Sequence, residues 1–174
     1  MTRFAALVLS LTLFLSVEAQ NTQKPCPCCA EEFRQFDFWV GDWETFKTGT
    51  DTLVGRNKIV VMQDSCVIQE NWTSANPGYT GTSYNFYNPQ TKKWHQTWID
   101  NQGGSLLLSG TLEHGNMVLY SEAMKTQKGE PYQNRITWTP GRDGTVRQHW
   151  EISKDNGKTW STAFDGLYKK VNRK

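Results

Sequence analysis

Histidine, long apolar runs and clustered charge are all scarce in this chain. It has three histidines among 174 residues, and 19 Lys and Arg nearly balance 17 Asp and Glu, for a net charge of +2. Cations this dispersed form no electrostatic footprint for nucleic acid, so we expect no nucleic-acid partner. No H-x-x-x-H motif, catalytic carboxylate pair or Ser-His-Asp arrangement is recognisable. The chain therefore carries no sequence signature of a metal centre or of a nucleophilic hydrolase.

The one long apolar run lies at the start of the sequence. Arg3 precedes the apolar segment 4–17, and Val17 and Ala19 suit the −3 and −1 positions of a signal-peptidase site. We expect residues 1–19 to be a signal peptide and the mature chain to be exported, either to the periplasm or out of the cell. No later segment has the length of a membrane-spanning helix, so we expect no membrane span.

The four cysteines are unevenly placed. Cys26, Cys28 and Cys29 crowd a short segment, whereas Cys66 stands alone. Export permits disulfides, and one bridge from the cluster to Cys66 would tie the N-terminal segment to the rest of the fold. Free thiols and a soft-metal site are the alternatives, although C-P-C-C lacks the paired spacing of zinc sites, and we predict no metal. We expect residues 20–29 to form a flexible, Cys-rich leader.

Aromatic residues alternate with hydrophilic ones in three segments of the chain, 68–72, 94–100 and 146–152. Alternation with period two is typical of β-strands, so each segment has one aromatic face and one hydrophilic, solvent-facing side. The aromatic faces also carry a carboxylate or an amide in mid-strand, where a packed core would have Leu or Val. The pattern predicts a sheet curved around a mostly apolar interior with a few polar groups, as in small-molecule pockets.

Turn residues divide most of the chain into short strands, and long helices are absent. A meander of this length most simply closes on itself, which removes exposed sheet edges. We predict an all-β, closed up-and-down antiparallel barrel domain over residues 30–172, with a short N-terminal helix over 30–38 plugging one end. The ten predicted strands are 42–47, 55–62, 66–73, 79–87, 93–100, 105–112, 117–124, 133–139, 145–153 and 158–168.

Residues 153–160 read S-K-D-N-G-K-T-W and match the pattern S-x-D-x-G-x-T-W. The segment resembles the Asp-box of sialidases and other secreted β-proteins. In that motif an Asp carboxylate accepts backbone N–H groups and closes a hairpin turn. The resemblance implies a structural turn and no sialidase activity.

Residues 36–43 read F-D-F-W-V-G-D-W, a short helix followed by Gly-x-Trp at the first strand. This opening resembles that of calycin barrels, the superfamily of lipocalins, fatty-acid-binding proteins and nitrobindin-type barrels. The runs F-x-F-W-x-G-x-W, W-x-Q-x-W-x-D and F-D-G-x-Y are also similar to uncharacterised small exported bacterial proteins. The calycin resemblance implies that the helix plugs one barrel end and that Trp39 and Trp43 pack there.

The same resemblance raises haem as a cofactor, since a nitrobindin-type barrel ligates haem through an inward histidine. His95 and His149 fall on the hydrophilic sides of their strands, and His114 falls in a turn. We therefore predict no cofactor and retain haem only as an alternative that would need a bulge to turn one histidine inward.

Glu70 is the most informative single residue, because the alternation that turns Ile68 and Trp72 inward also turns Glu70 inward. A desolvated carboxylate has a raised pKa unless it is paired. Asn85 and Gln96 on the following strands could form a polar belt with Glu70, and Gln148 could approach from the far wall.

Two structural alternatives for Glu70 stay open at this point. The belt could be a buried network that holds strand register without contacting a ligand. Glu70 could instead pair with an arginine such as Arg56 or Arg135.

These observations predict an exported barrel that binds a small apolar or aromatic molecule, rather than an enzyme. One alternative is an acid–base enzyme of the isomerase, hydratase or decarboxylase type that uses Glu70. The other is a structural or interaction protein whose barrel is filled. The sequence indicates no oligomeric state. The predicted ligand-binding residues are Glu70, Trp72, Asn85, Trp94, Gln96, Trp98, Gln148 and Trp150.

Overall fold

The computed structural model describes residues 26–171. The predicted signal peptide and residues 20–25 of the predicted leader lie outside the described residues. Within residues 26–171, no helix has the length and apolar character needed to cross a membrane.

The chain folds into a closed ten-stranded antiparallel barrel, as the alternation predicted. Each long strand pairs with the next along the chain, and the last strand returns to pair with the first. A two-residue strand, β8, lies outside this ring and pairs only with the start of β9. The strands are β1 (Gly41–Lys47), β2 (Leu53–Met62), β3 (Val67–Ser74), β4 (Thr80–Asn88), β5 (Lys93–Asp100), β6 (Ser105–Glu113), β7 (Asn116–Tyr120), β8 (Met124–Lys125), β9 (Pro131–Pro140), β10 (Val146–Ser153) and β11 (Ser161–Lys170).

One predicted strand, 117–124, is shorter in the structure. β7 ends at Tyr120 because the Ser121 hydroxyl, rather than a backbone carbonyl, accepts the Asn134 backbone N–H of β9, at 2.9 Å. Side-chain hydroxyls that bond nearby backbone compete with sheet pairing in this way.

The predicted N-terminal helix is present as two consecutive 3-10 turns, Glu31–Arg34 and Asp37–Trp39. Phe36 and Trp39 from this segment are fully buried in the barrel interior. The segment therefore plugs the end of the barrel where β1 begins.

Aromatic rings fill the plugged end of the barrel. The Phe36 ring stacks on Trp39 with centroids 5.0 Å apart, and it meets the edges of Trp94 at 5.6 Å and Trp138 at 5.1 Å. Each buried ring removes a large apolar area from water, which stabilises the fold by about 2–3 kcal/mol. This end of the interior is a conventional packed core.

Two disulfides involve all four cysteines. Cys28–Cys66 joins the N-terminal segment to the turn between β2 and β3, and Cys26–Cys29 closes a short loop. The predicted bridge from the cluster to Cys66 is therefore present, and no thiol is free for a metal. The plug is held covalently to the end of the barrel that it fills.

The Asp-box-like segment is a structural turn between β10 and β11. The Asp155 carboxylate accepts the Thr159 hydroxyl at 2.6 Å and the Thr159 backbone N–H at 2.8 Å. These bonds lower the pKa of Asp155 from 3.8 to about 2. The Trp160 ring packs beneath Arg135, 4.2 Å from the guanidinium carbon. Because this turn occupies the segment to residue 160, β11 begins at Ser161, later than predicted.

Candidate functional site

The half of the interior opposite the plug is hollow. A cavity of about 600 Å³ extends from mid-barrel to the loops at the open end, where Asn76 and Gly104 line it. Small-molecule sites in proteins commonly have volumes of about 300–1,000 Å³. A filled barrel would leave room for only a few water molecules, so the filled-barrel alternative does not describe this interior.

Aromatic and aliphatic side chains form most of the cavity wall. Four partly buried aromatic rings line it: Trp72 on β3, Trp98 on β5, Trp150 on β10 and Phe164, the cross-strand partner of Trp150. The remaining apolar lining residues include Val54, Leu106, Met124, Ile136 and Ile152. The wall is thus predominantly apolar, as the alternation predicted.

Two glycines make room for the indole rings in the wall. A Cβ added to Gly81 would lie 2.1 Å from Trp98, and one added to Gly55 would lie 2.3 Å from Trp72. Each ring therefore lies flat over a glycine of the neighbouring strand instead of projecting across the cavity. The open volume of the interior depends on these two positions, which sequence reasoning did not single out.

Glu70 lies at the floor of the cavity with 4% of its surface exposed. The Asn57 amide donates to its Oε1 at 2.7 Å, and the Ser83 hydroxyl donates to its Oε2 at 2.7 Å. Ser83 on β4 lies directly opposite Glu70, whereas Asn57 on β2 is its diagonal neighbour, opposite Trp72. Each carboxyl oxygen therefore receives one hydrogen bond from the protein and keeps a second acceptor position.

The belt continues on both sides of Glu70. Gln96 donates to Asn85 at 2.8 Å, and Asn85 donates to the Ser83 hydroxyl at 3.0 Å. On the other side, the Asn57 amide donates to the Tyr168 hydroxyl at 3.4 Å, and that hydroxyl donates to Gln148. Polar groups thus cross β10, β11, β2, β3, β4 and β5 at mid-barrel, where the packed core ends.

The direction of the Ser83 hydrogen bond follows from this network. Its oxygen accepts the amides of Asn85 and, at 3.4 Å, Gln96, so its own proton is directed to Glu70. Buried networks of this kind hold their members in one arrangement. The floor of the cavity is therefore preorganised around the Glu70 carboxyl.

Burial raises the pKa of Glu70 from 4.5 to about 7, although the hydrogen bonds from Ser83 and Asn57 oppose the rise. No cation among residues 26–171 neutralises the group: Arg56 binds Glu44 at 2.9 Å, and Arg135 binds Glu151 at 2.8 Å, both away from the cavity. The arginine alternative for Glu70 is thus wrong. Near neutral pH the carboxyl can both accept and give up a proton.

A second carboxylate, Asp100, lies at the mouth of the cavity. It accepts the backbone N–H groups of Gly104 at 2.8 Å and Gln102 at 2.9 Å, which lower its pKa. The Tyr79 hydroxyl also donates to it, at 3.2 Å. Asp100 is therefore ionised at the cavity mouth near neutral pH.

Six of the eight residues predicted to bind a ligand line the cavity: Glu70, Trp72, Gln96, Trp98, Gln148 and Trp150. The other two lie elsewhere, as a correction to the prediction. Asn85 is fully buried behind the wall, where it links Ser83 to Gln96. Trp94 belongs to the packed end, since β5 starts there and the indole N–H donates to the Glu32 carbonyl at 3.2 Å.

Sequence reasoning assigned no role to several polar members of the site, among them Asn57, Tyr168 and Asp100. Asn57 alternates with Gly55 and Ile59 on β2, so the period-two pattern could have identified it. Tyr168 reads as an ordinary core aromatic, and only the closure of β11 onto β1 and β10 brings it to the belt. Asp100 continues the alternation of β5 but was not assigned a role.

The three histidines lie away from the cavity. His95 stacks on Phe86 on the outer surface with ring centroids 5.3 Å apart, and His149 contacts Thr162 at 2.9 Å on the outside of β10. Among residues 26–171, no three His, Cys, Asp or Glu side chains are grouped to hold a metal ion. The cavity thus offers no histidine to a haem iron.

The chain matches no protein-family model, and it matches no curated protein sequence. The cavity and its residues are therefore the basis for its proposed function.

Proposed function

We propose that the protein is an exported carrier or receptor for a small, largely apolar or aromatic molecule. The observation that carries the proposal is the 600 Å³ cavity, which has an aromatic wall and an ordered polar floor. Pockets with this division bind the body of a ligand by apolar contact and orient it through a few polar groups.

The apolar part of the ligand lies between Trp72, Trp98 and Trp150 in this proposal. Its polar end meets the floor, where the Glu70 carboxyl, the Gln96 carbonyl and the Gln148 amide face the cavity. Gln96 and Gln148 each use one end of the side chain within the belt and keep the other end for a ligand.

The proposal includes a calycin-type barrel and an exported location. A plug at one end and a cavity reached from the other match the arrangement that the Gly-x-Trp opening implies. Two disulfides support export, because such bonds persist in oxidising compartments.

The test begins with protein purified from its own host. Native mass spectrometry is expected to show an added mass that disappears after organic extraction. Apolar and aromatic compounds added to the extracted protein are then expected to change its tryptophan fluorescence.

A matched pair of variants separates the cavity from the surface. Leu106 lines the cavity, whereas its neighbour Leu107 lies on the outer face with 64% of its surface exposed. L106W is expected to abolish binding by filling the cavity, and L107W is expected to bind as the wild type does. Equal binding by both variants, or no bound molecule and no response to any ligand class, contradicts the proposal.

The second candidate function is acid–base catalysis by Glu70. Its pKa of about 7 suits a group that exchanges protons at neutral pH. Such an enzyme would be of the isomerase, hydratase or decarboxylase type. Incubating the identified ligand with wild type and with E70Q decides between the two functions: conversion by the wild type, lowered about 10²- to 10⁴-fold in E70Q, supports the enzyme.

A further inference from the structure

The charges on the cavity lining all have one sign. Glu70 at the floor and Asp100 at the mouth are acidic, and no Lys, Arg or His is among the described residues that line the cavity. The glutamine and asparagine side chains are neutral. Above pH 7 a ligand in this cavity therefore meets one negative charge at the floor and one at the mouth.

The wall between the two carboxylates is rich in π-systems. Trp72, Trp98, Trp150 and Phe164 line it, with Tyr79 beside Asp100. The face of an aromatic ring attracts a cation, and tryptophan does so most strongly. The wall and the two acidic groups thus favour the same kind of ligand charge.

Each end of the cavity holds a tyrosine whose pKa is raised. Burial and, next, the charge of Glu70 raise the pKa of Tyr168. Burial and, next, the charge of Asp100 raise the pKa of Tyr79. Burial is the larger cause at both ends, and the neighbouring carboxylates act in the same direction.

From these observations we infer that the ligand is an organic cation, a protonated amine joined to an apolar or aromatic body, with its cationic group beside Glu70 and its body between the indoles. This inference rests on the proposed function and names the chemical class of the ligand. Asp100 at the mouth attracts the cationic group of the entering ligand, and Glu70 at the floor is the counter-ion of that group once it is bound.

The geometry at Glu70 suits an ammonium group. Its two oxygens accept from Asn57 and Ser83 and keep one further acceptor position each. An ammonium N–H bonded there would compensate the buried carboxylate, which otherwise has no cationic partner. Charge-assisted hydrogen bonds of this kind are about twice as strong as neutral ones.

The same features disfavour other ligand classes. A carboxylate ligand would bring a third negative charge into a cavity that has no basic side chain among its described lining residues. A neutral ligand would leave the ionised Glu70 buried without a counter-ion above pH 7. The site therefore discriminates by an unfavourable interaction as well as by a favourable one.

Three ligands with the same phenylalkyl body test the inference: 4-phenylbutylamine, 4-phenylbutanol and 4-phenylbutyrate. Their affinities for ligand-free protein would be compared by isothermal titration calorimetry at pH 8. We expect the amine to bind at least about tenfold more tightly than the alcohol, and the carboxylate to bind most weakly.

Matched charge variants locate the effect. E70Q is expected to lower the affinity for the amine about tenfold while the affinity for the alcohol is unchanged or higher. E113Q makes the same change in net charge on the exposed hairpin at the plugged end, and it is expected to bind all three ligands as the wild type does. Circular dichroism establishes that each variant is folded.

A measurement on the wild type keeps the test decisive if E70Q does not fold. Among the residues that the structure describes, Tyr168 is the one titratable side chain that hydrogen-bonds to the belt around Glu70. The other belt members are neutral at all relevant pH values: Asn57, Ser83, Gln96 and Gln148. Below pH 7 the amine must therefore ionise Glu70 as it binds. Calorimetry at pH 6 in buffers of different ionisation enthalpy is expected to detect release of roughly one proton with the amine and none with the alcohol.

The outcomes separate this inference from the proposed function. Equal or tighter binding of the alcohol or the carboxylate overturns the organic-cation inference and leaves the binding barrel intact. Amine binding without proton release at pH 6 also overturns it. If none of the three ligands binds, the inference fails, whereas the binding barrel fails only if native mass spectrometry and the wider ligand titration are negative too.

Discussion

The packed half and the hollow half of the barrel interior are lined by the same types of residue. Trp39 and Trp138 at the plugged end are fully buried against Phe36, whereas Trp98 and Trp150 at the open end border the cavity. Aromatic content is therefore no guide to which part of the interior is solid. The N-terminal segment decides this, because its rings fill one end, while at the other end Gly55 and Gly81 leave space at the wall for Trp72 and Trp98.

The belt around Glu70 lies where the two halves meet. Its side chains satisfy one another on the packed side and present free positions on the cavity side. Hydrogen bonding holds the boundary in place, and burial without a cation makes its carboxyl sensitive to pH. The comparison predicts four measurable differences between the halves.

Truncating one tryptophan in each half is expected to have the largest effect. W138A leaves a void in a close-packed core and is expected to lower the free energy of unfolding by about 4 kcal/mol. W98A enlarges an existing cavity and is expected to cost about 2 kcal/mol or less. Urea unfolding measures both values, and equal costs would show that the two halves are not packed differently.

Removing the disulfide that anchors the plug is expected to have the next largest effect. The Cys28–Cys66 bridge spans 38 residues, so its loss is expected to lower the unfolding free energy by about 3 kcal/mol. Cys26–Cys29 spans 3 residues, and its loss is expected to cost about 1–2 kcal/mol. The double variants C28S/C66S and C26S/C29S make the comparison, and a reversed order would contradict the anchoring role.

The boundary between the two halves, at Glu70, is tested by the pH dependence of the free energy of unfolding. Because the pKa of Glu70 is about 7 in the folded state and 4.5, its ordinary value, in the unfolded state, the folded state binds more protons between these pH values. Stability therefore falls as pH rises through this window, by roughly 2–3 kcal/mol between pH 5 and pH 8 from this group. The glutamine introduced in E70Q does not titrate, so the unfolding free energy of E70Q minus that of the wild type is expected to increase by this amount from pH 5 to pH 8. A difference that does not change with pH would contradict the burial of an unpaired carboxyl.

Glycine substitutions give the smallest expected effects on stability and the clearest contrast in function. In G81A the new methyl group displaces Trp98 into the cavity, so ligand binding is expected to weaken about tenfold or more at a stability cost of about 1 kcal/mol. In G110A it meets the Val118 carbonyl oxygen at 1.9 Å in the sheet, so stability is expected to fall by about 2 kcal/mol with little change in binding. Calorimetric titration and urea unfolding distinguish the two variants.

Much of the barrel and of its inward faces could be predicted from the sequence. β5 was predicted with its observed bounds because Trp94, Gln96 and Trp98 alternate without interruption. The predicted end of the strand 117–124 was wrong, because a serine hydroxyl that bonds to another strand leaves no local pattern in the sequence. Glu70 was identified as a buried carboxyl, but its partner Asn57, and Tyr168 bonded to Asn57, come from strands that only sheet pairing and barrel closure bring beside it.

The sequence by itself determined the period-two faces, the turns between strands and the placement of Glu70 on an aromatic face, since these depend on neighbouring residues in the chain. Only the tertiary structure decided which half of the interior is filled, which cysteines pair and why Trp94 lies in the core while Trp98 borders the cavity. Those features depend on where an N-terminal segment docks against residues far along the chain. Local periodicity carries no record of that contact.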